Sequence, residues 1–133
     1  MKKLTITLFI TICILFSCNA GESLEAYIEN SSSSELTVIF FSEKNNGYLN
    51  DILNIKPNER VLYTEAESFD SAYFSFNSID SIYIKNSSDE ILKVFKIDSA
   101  NKNIYNIDKY WTTIETSKNH YIYTYEIKQE DIE

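Results

Sequence analysis

Apolar and polar residues alternate with a period of two over much of the chain, in short runs separated by clusters of Asn, Ser and Asp. That period turns successive side chains to opposite faces, as in a strand with one buried face. Ala26 to Asn30 reads as a first short strand, and Leu36 to Ser42 (LTVIFFS) as a strongly apolar second one. The run Asn30-Ser31-Ser32-Ser33-Ser34-Glu35 between them predicts a turn, so the pair is expected to form a hairpin near the centre of a sheet. Tyr48 to Ile55 predicts a third strand, preceded by the turn pair Asn46-Gly47 and closed by Lys56-Pro57-Asn58-Glu59.

Arg60 to Glu65 is the fourth strand, with Val61 and Tyr63 on one face and Leu62 and Thr64 on the other. Glu65-Ala66-Glu67-Ser68 offers a single helical turn at most, and Ala72 to Phe76 reads as an aromatic strand. Ser81 to Lys85 and Ile91 to Ile97 flank the turn Asn86-Ser87-Ser88-Asp89 and predict a hairpin. After the polar loop Asp98 to Asn103 and a short apolar stretch, Ile104 to Ile107, a last pair is expected. It comprises Trp111 to Thr116 and Tyr121 to Lys128, around Ser117-Lys118-Asn119-His120. No amphipathic run reaches the roughly 12 residues that a self-supporting helix needs. About eight short strands at near-regular spacing predict an antiparallel β-sandwich, immunoglobulin-like or related.

The N-terminus departs from this pattern. Lys2 and Lys3 precede 13 residues, Leu4 to Phe16, that are apolar except for Thr5, Thr7 and Thr11. As a helix this stretch would span roughly 20 Å, short of the about 30 Å of a bilayer's hydrocarbon core. A basic start followed by a short apolar stretch is the pattern of a secretory signal. Leu15-Phe16-Ser17-Cys18, an aliphatic residue three before the cysteine and a small one directly before it, resembles the bacterial lipobox. The resemblance implies removal of residues 1–17 and a diacylglycerol thioether with N-acylation at Cys18. Several acyl chains hold a protein stably at a bilayer, where one holds only marginally. The organisation expected is a signal peptide over 1–17, a lipidated flexible tether over 18–25 and a single β-sandwich domain over 26–133. Asn19 stands where an aspartate would favour inner-membrane retention, so the expected address is the outer membrane of the envelope, on its periplasmic or its outer side.

Composition then narrows the partners. The chain holds 20 Asp and Glu against 12 Lys and Arg. Without Lys2 and Lys3 the basic count becomes ten and the net charge −10. Such a surface repels phosphates, so no nucleic-acid partner is expected, whereas a basic protein suits it. Cys13 leaves with the signal, so no disulfide and no cysteine-based metal site is expected, and no cofactor. His120 is the one histidine. It sits beside a turn, where Ser, Asn and His collect for backbone reasons, and it reads as a bystander rather than a catalytic base. Glu65, Glu67 and Asp70 form the densest acidic set before the tail, and no Gly-rich loop accompanies them. No catalytic or metal-ligating residue is assigned, and the chain is read as a non-enzyme.

Ten Tyr, eight Phe and one Trp make aromatics the most suggestive feature. Trp111, Tyr121, Tyr123 and Tyr125 are candidates for an aromatic binding face that stacks on sugars or anchors a protein; Trp111 reads first as a core residue whose indole N–H needs a partner, and the tyrosine face is open between core and surface. The lipobox, the sandwich-like domain and the closing pattern of Trp111, Tyr121, Tyr123, Tyr125, Ile127, Glu130 and Asp131 resemble small Bacteroidota lipoproteins. Asp70-Ser71-Ala72, Asp80-Ser81-Ile82 and Asp98-Ser99-Ala100 resemble the Asp-Ser/Thr-aliphatic O-glycosylation sequon of that group, which marks Ser71, Ser81 and Ser99. These readings lead to an envelope lipoprotein held to the membrane by the lipid on Cys18. Its domain is expected to bind a protein partner, of immunity or inhibitor type, with glycan binding and a structural spacer as alternatives.

Overall fold

The computed structural model describes residues 21–43 and 51–133. The signal segment, Cys18, the Asn46-Gly47 turn and the first residues of the expected third strand lie outside them. Among the described residues eight strands are present: β1 (Glu22–Asn30), β2 (Leu36–Phe41), β3 (Ile52–Ile55), β4 (Glu59–Ser68), β5 (Ser81–Asn86), β6 (Ile91–Phe95), β7 (Thr112–Ser117) and β8 (His120–Ile127). One helical turn, α1 (Ile107–Tyr110), precedes β7, and a 3-10 turn (Gln129–Asp131) follows β8. The strands make two four-stranded sheets, ordered β4-β1-β8-β7 and β3-β2-β5-β6. Every pairing is antiparallel except β1 with β8, which run parallel. This is the expected β-sandwich.

Alternation decides the core. Leu24, Ala26 and Ile28 of β1 and Tyr125 and Ile127 of β8 face Leu36, Val38 and Phe40 of β2 and Ile82 and Ile84 of β5. Between the sheets lies a ring cluster that supplies the bulk which Leu and Met supply in other cores. Phe40 stacks on Tyr63 at 4.5 Å and Tyr63 on Phe76 at 5.2 Å. Phe74 meets the edge of Trp111 at 5.1 Å, and Trp111 packs on Tyr125 at 5.5 Å. The indole N–H of Trp111 donates to the Ile104 carbonyl at 2.8 Å, which removes the penalty of burying it.

Several expectations are corrected. β1 and β2 do not form a hairpin, because the serine run carries the chain from one sheet to the other. Asn30 organises that crossover from the inside. Its side-chain amide donates to the carbonyls of Ser34 (2.7 Å) and Ile55 (2.9 Å), and its carbonyl accepts from the Ser32 amide (2.9 Å) and hydroxyl (2.6 Å). Ala72 to Phe76 is not a strand: the segment between β4 and β5 runs irregularly and turns Phe74 and Phe76 into the ring cluster. Glu65 to Ser68 continues β4 and forms no helical turn. The expected tether to Glu25 is also shortened, since Glu22 to Glu25 already pair within β1.

β4 carries an irregularity that the alternation does not announce. Thr64 pairs with Ala26 and Leu62 with Tyr27, so Tyr63 is an extra residue with no partner on β1. Such a bulge shifts the phase of every later side chain by one. Val61 and Tyr63 point inward; beyond the bulge Thr64 and Ala66 do so, opposite the buried Ala26 and Leu24. Glu65 and Glu67, which strict alternation from Val61 would send into the core, therefore lie on the outer face.

Candidate functional site

Three depressions meet at the start of β1. On the outer face of its sheet, Glu25 stands opposite Glu65 and Ser23 opposite Glu67, while on the other side Ser23 stands opposite His120. These side chains line a trough of about 350 Å³ with the backbone of Leu24 and Ala66. Ser23 Oγ lies 2.7 Å from His120 Nδ1, and Glu25 Oε1 lies 3.7 Å from His120 Nε2. The first contact is a hydrogen bond and the second is too long for one. The geometry is that of a tie between β1 and β8.

Tyr27 and Arg60 share this face with the carboxylates. Tyr27 donates its hydroxyl to Glu25, a bond that raises the phenol above its ordinary pKa by favouring the protonated form. The Arg60 guanidinium lies 4.3 Å over the Tyr27 ring. The result is a carboxylate strip along β1 and β4, with Ile122 and the exposed Ile114 beside it on β8 and β7.

A second hollow, about 460 Å³, is lined by Gly21, Glu22, Ser23, Glu67, Ser68 and Phe69. The third, about 500 Å³, opens between the sheets, where Leu24, Phe74, Tyr105 and Tyr123 form its walls and Tyr73, Ile97 and Asp108 its rim. Burial holds the Tyr123 phenol above its ordinary pKa, helped by the charges of Glu22 and Asp108. Tyr105 turns its hydroxyl to the Ile79 carbonyl at 3.2 Å, and burial raises its pKa strongly.

The structure divides the four aromatic candidates between core and surface. Trp111 and Tyr125 are buried in the ring cluster, so they present nothing to a ligand. Tyr121 and Tyr123 are half-buried, and Tyr123 lines the third hollow. Among the described residues the exposed rings are others, Phe69 and Tyr73, on the irregular segment after β4. Of the three sequon serines, Ser71 is exposed. Ser99 is half-buried, with its hydroxyl accepting the Lys96 amide at 2.8 Å. Ser81 is 4% exposed at the start of β5, paired with Phe41, which corrects the expectation of an accessible acceptor there.

Glu65 and Glu67 were visible as an acidic pair in the sequence, but Glu25 was not visible as their neighbour, because 40 positions separate it from Glu65. Among the described residues no group of three or more His, Cys, Asp or Glu converges closely enough to hold a metal ion. Among them too, no helix is long and apolar enough to cross a membrane. No family model, curated protein or solved structure matches the chain.

Proposed function

We propose that the chain is an outer-membrane lipoprotein, anchored through Cys18, whose sandwich is a non-enzymatic binding module for a basic protein partner of the immunity or inhibitor type. The observation that carries this reading is the cross-strand register of Glu25 with Glu65, next to Glu67 and beside an open trough. Two carboxylates directly opposite on adjacent strands repel one another in the free domain. A lysine or arginine side chain seated between them relieves that repulsion. Exposed Ile114 and half-buried Ile122 alongside supply apolar area of the kind that binding surfaces use at their centres. The glycan reading has less support, because two of its four expected rings are core residues.

Titration of the protein with a fluorescent Lys/Arg-rich peptide, an acidic peptide of equal length and a glycan panel separates the readings. The basic peptide is expected to bind with an affinity that falls as salt rises and falls further in a Glu25→Gln/Glu65→Gln variant. Equal binding of the two peptides, or an unaffected double variant, would sink the reading. The anchor is tested separately: Cys18→Ala is expected to abolish palmitate incorporation and to accumulate precursor.

A further inference from the structure

We infer that the end of the sandwich where β1 begins is a membrane-contacting surface, on which Phe69, Tyr73 and Ile97 seat in the interface of a zwitterionic phospholipid bilayer. The inference rests on the lipid-anchor reading of Cys18 given above. Among the described residues these three are the most exposed large apolar side chains, at 95%, 77% and 73%. They come from two separate segments, the one after β4 and the one after β6, yet gather around the same few residues. Phe69 lines the hollow with Gly21, Glu22 and Ser23, while Tyr73 and Ile97 line the groove with Leu24. Exposed apolar residues scattered singly need no explanation, but three converging on one end of a small domain do.

The path of the chain says what covers them. Gly21 lies so close to β4 that a Cβ there would stand 2.7 Å from the Ser68 carbonyl oxygen and 3.6 Å from the Phe69 Cα. The polypeptide therefore joins the fold directly beside Phe69. Three peptide links separate Gly21 from Cys18, a span of at most about 11 Å when fully extended. Acyl chains on Cys18 thus hold this end, and no other, within reach of the bilayer surface. Aromatic rings suit the headgroup region, where an apolar body and a polar tip are both satisfied, and Tyr73 has both. The bordering carboxylates Glu22, Glu67 and Asp70 are repelled by anionic headgroups, which selects a zwitterionic surface. In this orientation the strands stand away from the membrane, and the carboxylate strip on the outer face of the β1 sheet looks sideways, open to a partner.

Spin labelling of the mature lipidated protein in phosphatidylcholine/phosphatidylethanolamine vesicles tests this. Cys18 is blocked by its thioether, so Phe69→Cys, Tyr73→Cys and, on the β5–β6 turn at the far end, Ser87→Cys each offer one thiol. Nitroxides at 69 and 73 are expected to collide readily with oxygen and to be at least several-fold less accessible to a water-soluble nickel chelate than the nitroxide at 87. Replacing part of the lipid with phosphatidylglycerol is expected to narrow that difference. Equal nickel accessibility at all three sites, on protein that floats with the vesicles, would overturn the membrane contact while leaving the anchor intact. A second labelled thiol, located to Cys18 by mass spectrometry, would instead overturn the anchor reading, and the contact with it.

Discussion

Glu25 and Glu65 stand directly opposite one another on β1 and β4, two carboxylates in one cross-strand pair. Nothing in β-strand pairing favours this arrangement, since like charges directly opposite are destabilising by a few tenths to about 1 kcal/mol. Glu65→Gln is therefore expected to raise thermal stability slightly, with the gain shrinking as salt is added. Melting curves at low and high ionic strength check this. A loss of stability on neutralising Glu65 would show that the carboxylate is held by a favourable contact within the domain.

Asn30 makes four hydrogen bonds at the crossover between the sheets, all from a fully buried side chain. Asn30→Ala leaves two carbonyls and the Ser32 amide and hydroxyl without this partner, and Asn30 and Ser32 are themselves buried. Each such loss costs about 1–3 kcal/mol, so a destabilisation on the order of 3 kcal/mol or more is expected. Urea unfolding measures it. A change below about 1 kcal/mol would mean that water reaches the crossover and substitutes for the amide.

Trp111 is the only tryptophan and therefore a direct reporter of the core. Its emission is expected to be blue-shifted and nearly insensitive to iodide in the folded protein, and to shift red on unfolding. Trp111→Phe removes the bond to the Ile104 carbonyl and leaves part of the ring's space empty. It is expected to cost about 2 kcal/mol or more. Efficient iodide quenching of the folded protein would contradict the burial of this residue.

Burial pushes the Tyr63 phenol up to about 12 from its ordinary value of 10, with the Asp51 charge adding to the effect. Tyr105 and Tyr125 are raised further, again chiefly by burial. A phenol raised in the fold binds its proton more tightly there than in the unfolded chain. Its contribution is fully present below pH 10 and is lost as pH climbs toward 12. Stability is thus expected to be flat from neutral pH to about 10 and to fall steeply above it. Tyr63→Phe keeps the ring against Phe40 and Phe76 and removes the ionisable group, so it should unfold at a higher pH than the parent. Identical alkaline transitions would show that Tyr63 is not the group responsible.

The sequence by itself determined the alternation within each short run and two of the local pairings. The two hairpins β5–β6 and β7–β8 are legible because turn residues sit between alternating runs, as Asn86 and Asn119 do. In the second of these Asn119 adopts a positive φ of 61°, a conformation that Asn tolerates better than most residues. The sequence favoured a core place for Trp111 and left that of Tyr125 open, since a large ring fits both a core and a binding surface. Only the tertiary structure decided it, by bringing Phe74 and Phe76 in from an irregular segment onto Trp111, which with Phe95 packs on Tyr125. Tertiary structure also decided the candidate surface. The parallel pairing of β1 with β8 sets His120 beside Ser23, across 97 positions of sequence. The extra residue at Tyr63 turns Glu65 and Glu67 outward to meet Glu25. Alternation is a local property, set by the geometry of a strand. Strand order, bulges and the meeting of distant segments depend on which packing buries the most rings without burying a charge, and that is settled only when the whole chain competes for one core.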